Sequence, residues 1–200
     1  MDTDVLIPLK RLDAAKSRLR SALSGAERRR LMAAMLAGVV RAALAADVGR
    51  VVLVSSDREA PALAAGLGIE SVSDGGLAWN AGLVHARASL TAAAPAVLYL
   101  AGDLPLLEPE DVAAIVALGA TATAVVGRAH DGGTNALWAA PAAALEPAFG
   151  TRGSAGVHAA RAVAAGLRPV MLDRPGLAHD VDTAADLAHA RRLLAACPTA

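Results

Sequence analysis

The stretch Val97-Leu98-Tyr99-Leu100-Ala101-Gly102-Asp103-Leu104-Pro105 constrains the fold more than any other part of the chain. Its apolar run reads as a buried strand, and the run stops at Gly102-Asp103, which puts a carboxylate at the strand's carboxyl end. In open α/β sheets, ligands bind along that edge. Pro105 restricts Leu104 and forces an extended turn before the acidic helix start Glu108-Pro109-Glu110. Asp103 is thereby displayed at a crevice, where it could hold a divalent cation. An aspartate after a strand can equally be turn chemistry.

The rest of the chain repeats the alternation of strand and helix. Residues 5–9 form a first strand, with Pro8 marking where regular pairing stops. Ser24-Gly25-Ala26-Glu27 has the form of a capping box and opens a long helix to about residue 46. Further strands are expected over 50–54, 69–72, 123–127, 136–139 and 169–172, with helices over 60–65, 81–90, 111–118 and 155–165. The strands at 123–127 and 136–139 make a hairpin-like excursion around His130-Asp131-Gly132-Gly133-Thr134-Asn135. There the glycines would expose backbone N–H groups and Thr134 a hydroxyl. Gly66-Leu67-Gly68-Ile69-Glu70-Ser71 nearly matches a dinucleotide fingerprint, but it follows a helix and lacks the third glycine, so it is set aside.

Composition limits the partners. Two hundred residues make one domain, 1–200, the natural expectation. The chain is 55% hydrophobic but only 2% aromatic, so its core must be built from Ala, Val and Leu. A formal net charge of zero argues against a polynucleotide partner. The single cysteine, Cys197, excludes a disulfide framework or a cysteine metal site. Met1-Asp2-Thr3-Asp4 lacks the basic region of a signal peptide, and charge or glycine breaks every apolar stretch before it could span a bilayer. The expected location is cytoplasmic, without membrane association.

Several groups could carry chemistry at the crevice, and each has a plainer alternative. Lys10, Lys16 and Arg18 follow the first strand, where they suit a polyphosphate or start a solvated basic helix. Asn80 could cap a helix. Phe149-Gly150-Thr151-Arg152-Gly153-Ser154 precedes a helix, so its end suits either an anion or a serine cap. On extended chain, Asp180 and Asp182 would share one face by period-two alternation. Thr183 and Asp186 resemble a capping signal, and Asp182 could serve only the helix's positive end; capping does not explain Asp180. With Asp103, the pair is what one well-held Mg2+ or two would need. The five histidines are scattered without metal spacing, and only His158 and His179 fall near these loops.

Taken in order, Ile7-Pro8-Leu9-Lys10 with Ala15-Lys16-Ser17-Arg18-Leu19, Ala101-Gly102-Asp103-Leu104-Pro105, Gly133-Thr134-Asn135-Ala136-Leu137, Phe149-Gly150 and Asp180-Val181-Asp182-Thr183 resemble the phospholactate/phosphoenolpyruvate guanylyltransferase family. That family serves biosynthesis of the deazaflavin coenzyme (F-420). The resemblance implies a three-layer α/β/α GT-A-like nucleotidyltransferase fold, with a mostly parallel sheet and a late antiparallel excursion. It implies that Asp103, Asp180 and Asp182 hold Mg2+. Lys10, Lys16 and Arg18 would meet the GTP phosphates, with Lys10, Lys16 and Asp103 as the catalytic set and Asn80 near the nucleotide. Thr134, Gly150 and Ser154 would cradle a small phosphorylated carboxylic acid: phosphoenolpyruvate, 2-phospho-L-lactate or 3-phosphoglycerate. GTP and that acid are the expected partners, with a homodimer left open. Three departures fall at the acid end. A threonine is missing before Gly133, the loop before Ser154 has an extra residue, and the arginine expected before His158 is absent. The rivals are another nucleotidyltransferase of this fold, such as the molybdenum-cofactor type, and a nucleotide-binding module without turnover.

Overall fold

A computed structural model describes residues 2–10, 16–90 and 94–196; Cys197 and Ala15 of the early basic motif lie outside them. Strands and helices alternate as β1 (Thr3–Pro8), α1 (Gly25–Ala45), β2 (Val51–Val54), α2 (Ala60–Gly66), β3 (Glu70–Val72), α3 (Trp79–Ser89) and β4 (Ala96–Leu100). They continue as α4 (Pro109–Leu118), β5 (Ala124–Arg128), β6 (Thr134–Ala139), α5 (Ser154–Ala164), β7 (Pro169–Leu172), α6 (Pro175–Ala178) and α7 (Ala184–Ala196). Among the described residues, seven strands form one sheet in the order β3-β2-β1-β4-β6-β5-β7. β6 runs against β4 and β5 while the other pairs are parallel. The mixed, mostly parallel sheet expected from the sequence is therefore present.

Alternation along the strands divides the core between two faces. Val5 and Ile7, Val51 and Leu53, Leu98 and Leu100, and Ala136 and Trp138 pack with residues of α1, α2, α4, α6 and α7. Leu6, Val54, Val97, Tyr99, Val126 and Leu137 face the other way, onto α3 and α5. Because helices cover both faces, strands such as Val51–Val54 are apolar at every position. Among the described residues, no helix is long and apolar enough to cross a membrane.

The capping box is present: Glu27 N–H donates to Ser24 Oγ at 3.3 Å, and Ser24 N–H donates to the Glu27 carboxylate at 2.8 Å. Two local expectations need correction. Thr134 and Asn135 belong to β6, not to the loop before it, because the ladder extends through Arg128–Thr134 and an Ala101 N–H donates to Asn135 O at 2.8 Å. The glycines of that turn do not offer free amides either. Gly132 N–H donates to Ala129 O at 3.1 Å and Gly133 N–H to Asp131 Oδ1 at 2.8 Å.

At the edge of the sheet away from Asp103, buried Asp4 accepts from Arg50 Nε (3.1 Å), Arg50 Nη2 (2.9 Å) and the Ala94 N–H (2.9 Å). Burial alone would raise this carboxyl's pKa, but the Arg50 and Ala94 hydrogen bonds outweigh it and hold the value below the ordinary one. A depressed native pKa stabilises the fold above the unfolded-chain pKa, and that contribution is lost as pH falls through the native value. Asp4→Asn should therefore cost about 1.5–3 kcal/mol at neutral pH, the range for hydrogen bonds to a charged group. In denaturant titrations, the gap between variant and parent should close in strong acid. A constant gap would mean that the charge of Asp4 is not what stabilises.

Candidate active site

Three carboxylates converge at the carboxyl edge of the sheet. Asp103, Asp180 and Asp182 each present an oxygen, and the three oxygens lie within 4.8 Å of one another. Gly102 lets β4 end close to β1, since a Cβ there would stand 3.2 Å from Ile7 Cγ2. The second arm is fixed by its backbone: Val181 N–H donates to Asp103 O at 3.3 Å, and the Val181 side chain is buried in the core. With Val181 pointing inward, its two neighbours face the crevice, as period-two alternation requires. Asn135 Nδ2 donates to Leu177 O at 2.8 Å and also reaches Asp180 Oδ1 at 3.4 Å. Arg174, donating through Nε to buried Asp111 at 2.8 Å, secures the same arm from below. The helix-capping alternative for Asp182 does not hold. Asp186 takes the N–H groups of Asp182 (3.1 Å) and Thr183 (2.7 Å), so the Asp182 carboxylate is left to the crevice.

Like charges at this spacing repel, and the titration behaviour reflects it. Burial raises the Asp180 pKa, and the charges of Asp103 and Asp182 raise it further, against opposing hydrogen bonds from its own backbone amide and from Asn135. Such a set of hard oxygen donors fits a hard divalent cation.

Lys16 places its ammonium in this cluster, against Asp103 and 2.8 Å from Asp182 Oδ1. Its side chain is only 7% exposed, so the ion pair is shielded from water. Burial pulls the Lys16 pKa down, but Asp103 and Asp182 more than offset this and hold it above its ordinary value. Burial would likewise raise the Asp182 pKa, whereas Lys16 keeps it low. The Lys16 backbone is left-handed, with φ 53° and ψ 42°, a conformation that costs energy for a residue with a Cβ. Arg18 stands outside, with Nη1 3.4 Å from Asp182 Oδ2. Lys10 Nζ lies 4.8 Å from the Trp79 ring centroid, and its charge adds to those of Lys16 and Arg18 in keeping the Asp182 pKa low.

The third group is neutral. Ser154 is buried at 1% exposure while Thr134 keeps 8%, and Ser154 Oγ donates to Thr134 Oγ1 at 3.0 Å. Ser154 does not cap α5: Gly153 takes that position with φ 73°, which a glycine adopts without strain. The first amides of α5 are already paired, Ser154 N–H with Thr151 O (3.0 Å) and Ala155 N–H with Gly132 O (3.3 Å). The expected anion seat at this helix start is therefore closed. Asn80 is not a cap either, since Ala78 precedes α3. Its amide clasps Phe149 instead, donating to Phe149 O at 3.1 Å and accepting from Phe149 N–H at 2.9 Å. That clasp holds the turn at Gly150, whose φ is 86°.

Sequence reasoning missed Asn135, Asp111 and the part played by His158. His158 lies four residues after Ser154, the spacing that stacks side chains on one helix face, so its signal was available. The histidines are also less scattered than their spacing suggests. His130, His179 and His189 lie in a row with ring centroids 4.6 Å apart at each step, the first pair tilted and the second edge-on.

Comparison with known proteins points one way. The family described as "Guanylyl transferase CofC like" matches residues 3–191. A phosphoenolpyruvate guanylyltransferase of Rubrobacter xylanophilus is 39% identical, covering 94% of this chain and 93% of its own. The corresponding protein of Sphaerobacter thermophilus is 40% identical, over 94% of this chain and 91% of its own. Among solved structures, a nucleotidyl transferase from Methanothermobacter superposes with a TM-score of 0.67 at 17% identity, covering 98% of this chain and 99% of that one.

Because Lys16 sits on two of the three carboxylates, an arriving divalent cation must displace it. Titration with Mn2+ in the absence of nucleotide, followed by electron paramagnetic resonance, should show saturable binding. Asp180→Asn should weaken that binding at least about tenfold, and Lys16→Gln should strengthen it by about tenfold, the scale of one nearby charge pair in partial solvent. Unchanged affinity in Lys16→Gln would mean that lysine and metal do not compete.

Proposed function

Because the chain belongs to the family of CofC-like guanylyl transferases, we propose that it joins GMP from GTP to phosphoenolpyruvate, or a close phosphorylated carboxylic acid, and releases pyrophosphate. Residues 1–200 would act as one domain. The observation that carries this reading is the meeting of three carboxylates, flanking cations and a neutral hydroxyl corner at one edge of the sheet.

In the reaction, a phosphate oxygen of the acid attacks the α-phosphorus of GTP. One P–O bond forms, the bond to the β-phosphate breaks, and pyrophosphate leaves with its electron pair. The attacking oxygen is already anionic, so no strong general base is needed; alignment and charge neutralisation do the catalysis. Asp103, Asp180 and Asp182 would hold Mg2+, which when bound would supply positive charge to the phosphate oxygens. Arg18, beside Asp182, and Lys10, over the Trp79 ring, would take the outer phosphates. Lys16, once released from Asp103 and Asp182, would offer its ammonium to the transferring group. On the other flank, Thr134 and the Gly150 turn would receive the acid, with Ser154 acting through Thr134 and Asn80 holding the turn in place.

Pyrophosphate release with GTP and Mg2+ should be fastest with phosphoenolpyruvate among that acid, 2-phospholactate and 3-phosphoglycerate, and slow with ATP. Asp103→Asn is nearly isosteric and should keep the parent melting temperature while lowering kcat by about 10³-fold or more, the scale of losing an electrostatic group at the reacting centre. Equal rates with ATP and GTP would point to a broader nucleotidyltransferase. Saturable GTP binding without pyrophosphate release from any acid would reduce the protein to a nucleotide-binding module.

A further inference from the structure

His158 is fully buried behind the hydroxyl corner, and neither of its ring nitrogens is free. The Ala148 N–H points at Nε2 from 2.7 Å, and Nδ1 stands 2.9 Å from Thr134 Oγ1. A backbone amide can only donate, so Nε2 must carry a lone pair. Burial, with a smaller effect from Arg161, pushes the His158 pKa down to about 4, against a weak opposing effect of the Ser154 carbonyl. The ring is thus neutral at physiological pH, and a neutral imidazole bearing no proton on Nε2 bears it on Nδ1.

The tautomer settles the direction of the next bond. Nδ1–H donates to Thr134 Oγ1, and Ser154 Oγ donates to the same oxygen from 3.0 Å. A hydroxyl oxygen has two lone pairs and one proton. Both lone pairs of Thr134 are now taken, so the hydroxyl has only its proton left to offer. The position is significant because Thr134 begins β6, next to Asn135, whose amide reaches Asp180 of the carboxylate cluster.

We propose that His158 is a positioning residue, locked as the Nδ1–H tautomer, which makes the Thr134 hydroxyl an obligate donor and so selects an anionic oxygen on the acceptor. This rests on the acid lying at Thr134, as proposed above. A carboxylate or phosphate oxygen offers the lone pair this donor needs. A ligand that presented only N–H groups, an ammonium or an amide nitrogen, at the same spot would find no acceptor and would leave two donors facing each other, and a neutral hydroxyl would accept more weakly than an anionic oxygen.

The test begins with the unaltered protein. Long-range ¹H–¹⁵N correlation spectra should show His158 Nε2 with the shift of an unprotonated nitrogen and Nδ1 with that of an N–H, throughout the neutral range. Protonated Nε2 would overturn the proposal, whatever the kinetics. Among variants, Thr134→Val should raise the KM for phosphoenolpyruvate about tenfold or more and leave the KM for GTP within about twofold, as expected for losing one hydrogen bond to a charged group. His158→Phe should do the same, and His158→Asn, whose amide can still donate toward Thr134, should recover part of the loss. In a Thr134→Val background, His158→Phe should change the KM for the acid little further, because the histidine acts through the threonine. Additive effects would overturn that relay. If the tautomer is as stated but Thr134→Val spares the acid, the acid has been placed at the wrong corner and the proposal falls with it.

Discussion

Three like charges held within 4.8 Å are the constraint on which the crevice depends. Left alone they would push the loops apart, and everything around them restrains that repulsion. The Val181–Asp103 backbone bond closes the gap, and the burial of Val181 prevents its arm from rotating. The Arg174–Asp111 pair and the Asn135 amide hold the same arm from two more directions. Lys16 supplies the missing positive charge from a strained backbone. A buried pair of this kind is poor evidence of net stability, because desolvation consumes much of the attraction. What it does is keep the acidic groups assembled with part of their charge neutralised.

Much of this arrangement was legible in the sequence. The capping box, the strand ending in Gly102-Asp103 and the alternation of Asp180 and Asp182 are local patterns, and local patterns survive folding. What was not legible depended on partners far along the chain. Thr134 looked like a loop hydroxyl because the glycines before it read as a turn; its pairing with Arg128 and the Ala101 bond to Asn135 extend β6 to it. Ser154 looked like a cap, but Gly153 took that role and freed the hydroxyl for a residue twenty positions earlier. Asn80 had the composition of a cap and became a clasp on Phe149. In each case the short-range rule named the right kind of hydrogen bond and the wrong partner.

The two edges of the sheet use charge differently. At the edge with Asp4, the carboxylate is saturated by three donors and its charge is spent on stability. At the edge with Asp103, negative groups outnumber the cations that touch them, and the surplus is what can bind. The helices reach both edges, but only the second leaves valence open.

β1 is the earliest of the seven strands in chain order, yet it lies in the interior of the sheet, between β2 and β4. One of its partners, β2, follows about forty residues later, whereas pairing with β4 joins Thr3 to Ala96. Until β4 is made, one side of an almost wholly buried strand has no neighbour. Parallel pairing over such a separation carries a loop-closure cost before any contact rewards it. A chain that has not yet paired β4 therefore exposes an apolar strand edge. Its folding is a race between β4 and any other strand that could take that edge.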